Sequence, residues 1–307
     1  MELFLPTRST SGRAADRTYF WILSALASTV ALALLGVAYQ TERLARPSLA
    51  RFGWGFITSL DWDPTSEAFG ALPFIVGTLL SAGLALALAL PVGLGAAIFL
   101  GEMAPRARRI LRLPIELLAA IPSVVYGLWG LFYLAPLLRD PVEPILAKSG
   151  LPFLGGPALG VGFLAAGLVL AIMVLPTIVS LSLELLAAVP ASQREGYYAL
   201  GATRSEVLLR GVLPFARTGL LGATVLALGR ALGETMAVTL VIGNSPDLPR
   251  SLFATGATLA SVLANEFTEA VSDLHQAALA ELGLVLLALT LLLSMGGRVL
   301  LRRTLAR

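Results

Sequence analysis

Six apolar runs, each long enough to cross a bilayer, constrain this chain more than any other feature of its sequence. They cover residues 19–39, 74–100, 113–138, 158–183, 214–242 and 277–295. About 20 consecutive apolar residues span the hydrocarbon core as an α-helix. A helix satisfies its own backbone hydrogen bonds, which lipid cannot do. The sequence therefore predicts an all-α polytopic membrane protein with six transmembrane helices.

The low density of charge agrees with lipid as the surrounding solvent. Of the 307 residues, 13% are charged and 57% are hydrophobic, whereas soluble domains carry about 25% charged residues. A cleaved signal peptide is the competing interpretation of the first run, but the run is too long for a signal sequence. We therefore expect one transmembrane domain over residues 19–300, with short tails at residues 1–18 and 301–307.

The positive charges divide unequally between the two sides that six spans define. Fifteen arginines fall on the side of the N-terminus, and six Lys or Arg residues fall on the other side. Cytoplasmic loops carry the excess of positive charge. We therefore expect a multi-pass protein of the cytoplasmic (inner) membrane with both tails in the cytoplasm. This topology also accounts for the net charge of +3, so no nucleic-acid partner is expected.

The sequence lacks the residues that most kinds of catalysis require. The chain has no cysteine and one histidine, His275, so we predict no catalytic site, metal site or cofactor. Nucleotide hydrolysis by a phosphate-binding loop needs a lysine after a glycine-rich turn. The one lysine, Lys148, follows Ala147 and has no such turn before it. The chain is therefore expected to be a transport protein and not an enzyme, and a separate subunit would hydrolyse any ATP that drives it.

A polar stretch, residues 190–214, precedes the fifth run and has the pattern of two short helices around a glycine. Residues 191–200 can form a helix that ends at Gly201 in a left-handed conformation. Thr203 and Glu206 have the spacing of a capping box for the next helix. An amphipathic connector on the membrane surface and a docking site for a partner are both consistent with this pattern. The candidate docking residues are Glu195, Gly196, Ala199, Gly201, Leu213 and Pro214.

Beyond Arg217 near its start, the fifth run contains two charged residues, Arg230 and Glu234. An arginine in mid-membrane costs at least about 2.5–3.5 kcal/mol, so it usually faces the bundle interior and has a partner. Four residues apart on a continuous helix, the two side chains are expected on one face. They can form a structural ion pair, or Arg230 can line an anion path, because a guanidinium group donates paired hydrogen bonds to oxyanions.

Several motifs carry a resemblance to a known family. Residues 195–201 and 212–214, EGYYALG and VLP, resemble the EAA loop of ABC importer permeases, with Gly196 and Tyr197 in place of two alanines. The segment LGRALGETMAV at residues 228–238, with GN at 243–244, is similar to the permeases of phosphate-specific ABC importers, of the PstC type. The segments WDP at 62–64 and AIPSVVYG at 120–127 agree.

This resemblance implies a type I ABC importer permease fold and a permease that moves inorganic phosphate. It implies that residues 190–214 dock on an ATPase subunit dimer and that Arg230 and Glu234 lie on the substrate pathway. The implied partners are a homologous PstA-like permease in a heterodimer and a periplasmic or extracellular phosphate-binding protein. The latter would contact outer loops such as 40–70 and 243–276. Two alternatives stay open, namely a permease for another oxyanion such as sulfate or molybdate, and an ion-coupled secondary transporter with Arg230 and Glu234 as a relay.

Overall fold

The computed structural model describes the backbone of residues 10–305 and the side chains of residues 16–104 and 106–299. The outer parts of both predicted tails, residues 1–9 and 306–307, lie outside the described residues. The α-helices are α1 (Thr10–Phe52), α2 (Gly55–Thr58), α3 (Leu72–Ile98), α4 (Pro105–Ala120), α5 (Ser123–Trp129), α6 (Ala135–Leu137), α7 (Glu143–Ala147), α8 (Phe163–Ala187), α9 (Ala191–Ala199), α10 (Arg204–Glu206), α11 (Leu213–Leu232), α12 (Met236–Val241), α13 (Leu259–Glu266) and α14 (Asp273–Leu305).

Short irregular segments extend or connect these helices. Strands β1 (Trp62–Asp63) and β2 (Ala68–Phe69) form an antiparallel hairpin in which Trp62 pairs with Phe69. The remaining helical segments are π-helical turns at Phe99–Met103, Gly130–Leu134, Leu138–Val142 and Val207–Val212 and a 3₁₀ turn at Pro152–Leu154.

Within the part of the chain that the structure describes, five helices are long and apolar enough to cross a membrane, and a bent pair makes a sixth crossing if its two parts count as one span. The five lie within Asp16–Phe52, Leu72–Met103, Phe163–Ala187, Arg204–Leu232 and Asp273–Val299, and the bent pair is Arg106–Ala120 with Ser123–Ala147. The number of crossings is therefore five, or six with the bent pair counted as one span, as the sequence predicted. The predicted all-α polytopic architecture is confirmed.

Helix α8 forms the centre of the bundle. Its apolar window is 61% buried, against 28% for α3, α11 and α14 and 0% for α1. Side chains from α3, α5, α8, α11 and α12 make the main core around it. Burial on all sides explains why α8 is apolar all round, with no charged residue before Glu184. The exposed apolar face of α1 is the kind of surface that lipid covers.

Two smaller cores lie at opposite ends of the bundle. We call the end that carries α9 the loop end and the end that carries β1 and β2 the hairpin end. At the loop end, Leu183 and Leu186 of α8 pack with Val207 and Val212. At the hairpin end, the Trp62 ring packs edge-on against Phe69 and Phe74, with ring centroids 4.9 and 5.0 Å apart. The connections at both ends are therefore fixed by packing.

The loop predicted at residues 40–70 is shorter in the structure. Residues 40–52, expected in a polar loop, continue α1 as far as Phe52. Glu42 and Arg46 are four residues apart and form an ion pair at 3.1 Å, which stabilises the extended helix. Ala45 and Ser48 are fully buried on this part of α1. Amphipathic packing against α14 therefore extends the helix beyond its apolar run.

The third predicted span, residues 113–138, is wrong at both ends. Helix α4 ends at Ala120, and the next span, Ser123–Ala147, turns by 92° from it. Ile121 and Pro122 have extended backbones at the turn, because a proline disfavours the helical conformation of the residue before it. The span then continues past Pro136 and Pro141 through π-helical turns, so Arg139 lies in the span and not in a loop.

The fifth predicted span, residues 214–242, is also broken. Helix α11 ends at Leu232, and residues 233–235 connect it to α12. Gly233 is a poor helix former. A carboxylate oxygen of Glu234 accepts a hydrogen bond from the Ala237 backbone N–H at 3.2 Å. This side chain caps the start of α12, which favours a new helix over continuation of α11.

Candidate functional site

The stretch 190–214 folds as a short helix, a glycine turn and a second helix. Helix α9 ends in a Schellman motif, in which the N–H groups of Gly201 and Ala202 bond to the carbonyls of Tyr198 and Tyr197 at 2.9 and 3.1 Å. Gly201 has φ +79°, a conformation that favours glycine. Thr203 and Glu206 form a reciprocal capping box. The predicted local structure of this loop is confirmed.

The second helix joins α11 without an interruption. The π-helical turn Val207–Val212 leads directly into α11, whose first turn contains Pro214. The polar loop is therefore shorter than expected, because α8 extends to Ala187 on one side and α11 begins at Leu213 on the other. Of the predicted docking residues, Glu195, Gly196, Ala199 and Gly201 are exposed on α9 and its turn, and so is Pro214, while Leu213 is half-buried.

An arginine on α9 ties this loop to two transmembrane helices. Nη1 of Arg194 donates a hydrogen bond to Oε2 of Glu102 at 2.9 Å, at the end of the helix that follows α3. Nη2 donates to the carbonyl oxygen of Leu186 in α8 at 2.6 Å. The Arg194 and Glu102 side chains are 27% and 16% exposed, so water screens this ion pair less than a surface pair. Sequence reasoning did not identify this contact. The one indication in the sequence is Glu102, a carboxylate directly after an apolar span.

Tyr197 joins α9 to the segment that leads into α11. Its hydroxyl donates a hydrogen bond to the carbonyl oxygen of Arg210 at 2.9 Å. Its ring lies against Gly211, where an added Cβ would come within 2.9 Å of two ring carbons. A tyrosine where the resembling loop has alanine is therefore accommodated by a glycine on the facing segment.

The outward side of α9 and its turn presents apolar and small residues to solvent. Leu200 is 86% exposed and Tyr198 is 50% exposed. No atom outside α9 lies within 4 Å of the Cβ that Gly196 would carry as alanine. This outward surface, defined by Glu195, Gly196, Ala199, Leu200 and Gly201, is called the α9 surface below. At Gly196 this surface leaves room for the backbone of another chain to approach closely, and at Leu200 it presents a protruding apolar side chain.

Arg230 is half-buried in the bundle and contacts the central helix. Its Nη1 atom donates a hydrogen bond to Oγ1 of Thr177 in α8 at 3.2 Å, and its charge interacts with the Tyr126 hydroxyl of α5. The contact with Thr177 was not predicted, because Thr177 lies within an apolar run next to Pro176. Arg230 therefore occupies a position between α5, α8 and α11.

Glu234 does not lie on one helical face with Arg230, as the sequence had indicated. The expectation was wrong because α11 ends at Leu232, two residues before the glutamate. Among the ion pairs within 4.0 Å that the described side chains form, none joins Arg230 to Glu234. The carboxylate instead caps α12. The guanidinium group therefore keeps donors that no carboxylate occupies in the described structure.

A cavity of about 820 Å³ opens between α8, α11 and α14 towards the loop end. Glycines 219, 222 and 229 of α11 form one wall, and Glu184 and Arg298 supply its charges. Arg230 is not among the residues that line it. The arginine that the sequence singled out thus faces the α8 and α5 side of α11.

The hairpin end joins the two outer loops that were expected to meet a binding protein. The indole N–H of Trp62 donates to Glu266 at 2.9 Å, and Nε2 of His275 lies 3.0 Å from the same carboxylate oxygen. The Phe69 ring stacks on His275 with centroids 5.3 Å apart. A groove of about 930 Å³ opens beside this cluster, and Asp61, Asp247 and Arg250 are its charged residues. Among the side chains described, no group of three His, Asp or Glu residues is arranged to hold a metal ion.

Comparison with known proteins gives consistent results over nearly the whole chain. The chain is 45% identical over 299 residues to "Phosphate transport system permease protein PstC" of Mesorhizobium japonicum, covering 95% of this chain and 91% of that one. It is 43% identical over 305 residues to the protein of the same name from Haemophilus influenzae, covering 94% and 96%.

Solved structures give the fold. The chain superposes on a chain of a bacterial alginate ABC transporter, in complex with an alginate pentasaccharide-bound periplasmic protein, with a TM-score of 0.64, 16% identity and coverage of 94% and 96%. It also superposes on an inward-facing MetNI methionine ABC transporter with a TM-score of 0.55, 19% identity and coverage of 74% and 91%.

A family model also matches residues 89–305, which contain α9, Arg230 and most of the spans. Its description is "Binding-protein-dependent transport system inner membrane component". The matched residues include both candidate regions, namely α9 with its turn and the surroundings of Arg230. The sequence identities to the permeases described above agree with this match. The chain belongs to this family of binding-protein-dependent inner-membrane transport components and is a transport permease with the type I ABC importer fold.

Proposed function

We propose that this chain is one permease subunit of an ATP-driven importer for inorganic phosphate. The observation that carries the proposal is its identity of 43–45% with phosphate transport permeases across more than nine-tenths of its length. Its partners are a homologous PstA-like permease, an ATPase subunit dimer and an extracytoplasmic phosphate-binding protein. The permease domain comprises residues 19–300, and both tails are cytoplasmic, in keeping with the positive charge on their side.

In this proposal the α9 surface is where the ATPase docks. A protruding leucine that is 86% exposed fits a pocket on a partner better than it fits water, and Gly196 and Ala199 let the partner backbone approach. Glu195 adds a charge at the edge, and Gly201 sets the direction of the chain after α9. Leu213 and Pro214 form the start of α11, through which movement of α9 enters the span.

Two contacts within the chain give that movement a route into the membrane. Arg194 links α9 to Glu102 after α3 and to the end of α8. Tyr197 links α9 to Arg210 and Gly211 before α11. Displacement of α9 by a closing ATPase dimer would thus act on three transmembrane helices together. Coupling of this kind requires a stiff connection, which charge-assisted hydrogen bonds provide.

Arg230 is proposed to contact phosphate during its passage. Thr177 holds one guanidinium nitrogen, while the absence of an Arg230–Glu234 ion pair within the described structure leaves other donors for an oxyanion. Paired donors match the tetrahedral oxygens of phosphate. Glu234 lies at the helix break next to this path. Its carboxylate can moderate the positive charge or accept a hydrogen bond from a protonated phosphate oxygen, which fully ionised sulfate lacks.

No observation favours the ion-coupled alternative. A relay between Arg230 and Glu234 needs the two groups in contact, and the described side chains do not make that contact. Membership of a binding-protein-dependent family also assigns substrate delivery to another protein. A permease for sulfate or molybdate would share the same fold, so the substrate is the point that an experiment must decide.

Co-purification with an activity readout tests this proposal. The tagged chain is purified from its own membrane, and the ATPase activity of the purified complex is measured with binding protein loaded with phosphate, sulfate or molybdate. We expect a second permease and an ATPase in the complex, and stimulation by the phosphate-loaded protein alone. Purification without an ATPase, or stimulation by the sulfate-loaded form, would contradict the proposal.

A further inference from the structure

Helix α4 lies across the bundle and not along it. It is bent by 92° from the span that follows, and it packs on the loop-end core through Ala107 and Ile115. Ile115 lines a small pocket together with Ser180 and Leu183, which lie near the end of α8. The helix was expected to be a short loop and the start of a span. It is instead a 16-residue helix at the loop-end edge of the transmembrane region.

One face of α4 is apolar and uncovered. Ile110, Leu113 and Leu117 are 72%, 63% and 59% exposed. Their spacing of three and four residues places them on the same side of a helix. Three large apolar side chains in a row are not stable against water, so a hydrophobic medium must lie against this face.

The same side of α4 carries arginines one turn before those apolar residues. Arg106 and Arg109 precede Ile110 and Leu113 by four residues and are both exposed. Within the described side chains, neither forms an ion pair within 4.0 Å, whereas Arg112 is paired with Glu116 at 2.7 Å. Two unpaired guanidinium groups therefore border the exposed apolar face.

We propose that α4 is an interfacial helix that binds the headgroups of anionic phospholipids through Arg106 and Arg109. Ile110, Leu113 and Leu117 rest on the acyl chains of the same lipids. This combination of an apolar face and adjacent basic residues is the pattern of helices that lie in the membrane interface. A transmembrane helix of a partner would cover the apolar face but leave both arginines without counter-charges. The inference needs the membrane placement that the family gives and is independent of the transported substrate.

A fluorescence-quenching experiment tests the proposal in the assembled transporter. Leu117→Trp places a tryptophan on the exposed face. Its fluorescence is obtained by subtracting the fluorescence of the parent complex, both complexes being measured in mixed micelles. Quenching is compared for brominated phosphatidylglycerol and brominated phosphatidylcholine. We expect quenching by both lipids and an about fivefold higher affinity for phosphatidylglycerol. Arg106→Gln with Arg109→Gln removes this preference, and the matched Lys variants retain most of it.

Controls separate a lipid site from other causes. Arg43→Gln with Arg139→Gln removes two arginines elsewhere in the chain and leaves the preference unchanged. Equal affinity for both lipids in the parent sequence would overturn the proposal, because the arginines would then recognise no headgroup. Absence of quenching by either lipid would overturn it in favour of a protein partner. Loss of the preference in millimolar inorganic phosphate would instead indicate a free-phosphate site. Elution of each variant as an intact complex verifies folding.

Discussion

The guanidinium group of Arg194 donates a hydrogen bond to the carboxylate of Glu102 across 2.9 Å, although the residues are 92 positions apart in the chain. Arg194 lies on α9, beside the proposed ATPase docking residues, and Glu102 lies at the end of the helix that follows α3. A second bond from Arg194 reaches the Leu186 carbonyl of α8 at 2.6 Å. One side chain thus connects α9 to two transmembrane helices.

Loss of this contact is expected to uncouple ATP hydrolysis from transport. Arg194→Gln removes a charge-assisted hydrogen bond worth about 1–3 kcal/mol, so α9 moves without carrying α3 and α8 with it. We expect a lower ratio of phosphate transported to ATP hydrolysed, measured in the reconstituted complex. Arg51→Gln, which breaks the more exposed Arg51–Glu67 pair at the hairpin end, should leave this ratio unchanged. An unchanged ratio in Arg194→Gln would show that the contact has no role in coupling.

A charged residue on the α9 surface is expected to prevent ATPase binding without unfolding the permease. Leu200→Asp puts a carboxylate where an 86% exposed leucine would enter a partner pocket, at a cost of about 2 kcal/mol or more in docking. We expect the permease pair to elute normally while the ATPase subunit is lost from it. Leu248→Asp, on a 42% exposed leucine at the hairpin end, is the matched control. Retention of the ATPase by Leu200→Asp would rule out this docking surface.

Gly201→Ala is expected to strain the turn after α9. The φ of +79° costs a residue with a Cβ about 1–2 kcal/mol, although no other atom lies within 4 Å of that Cβ position. The thermal midpoint of the permease pair should therefore fall. Gly196→Ala, in the helical part of the same loop and equally open, should leave the midpoint unchanged or raise it slightly. Equal midpoints for the two variants would contradict a conformational role for Gly201.

Local and distant features of this chain differ in how far the sequence predicts them. The turn at Gly201 and the cap at Thr203 were predictable because each depends on residues within about one helical turn. The break after α11 was not, because the apolar run resumes at Met236 after only Gly233, Glu234 and Thr235, and this short interruption hides the end of the helix. The bend at Pro122 was ambiguous for a similar reason, since Pro114 occurs inside α4 without ending it.

Contacts between distant segments could not be predicted at all. Nothing in the order of residues pairs Arg194 with Glu102, or Arg230 with Thr177, because the packing of α8 against α3 and α11 brings them together. The sequence therefore identified Arg230 by the cost of burying its charge but assigned it the nearest carboxylate, Glu234. In the structure that carboxylate caps α12 at 3.2 Å, and a hydroxyl group takes its place beside the arginine.

Two substitutions separate the capping of α12 by Glu234 from its proposed role in discriminating phosphate from sulfate. Glu234→Gln keeps an oxygen that accepts the Ala237 N–H but removes the charge. Glu234→Ala removes the cap as well and should cost about 0.5–2 kcal/mol of stability. We expect the thermal midpoint to fall in the Ala variant alone, while discrimination between phosphate and sulfate weakens in both. Unchanged discrimination in Glu234→Ala, which removes both the charge and the acceptor oxygen, would limit the side chain to capping.

Uptake of radiolabelled phosphate by the reconstituted complex tests the central claim most directly. Proteoliposomes contain this chain with its partner permease and ATPase, and binding protein and ATP are supplied on opposite sides. We predict that uptake requires both the binding protein and ATP and that excess sulfate competes only weakly. Arg230→Gln should decrease the rate of uptake by about tenfold or more. Thr290→Val, which removes a hydroxyl bonded within α14, should have no effect. Uptake by this chain without the ATPase, or normal uptake with normal ATPase stimulation in Arg230→Gln, would contradict the account.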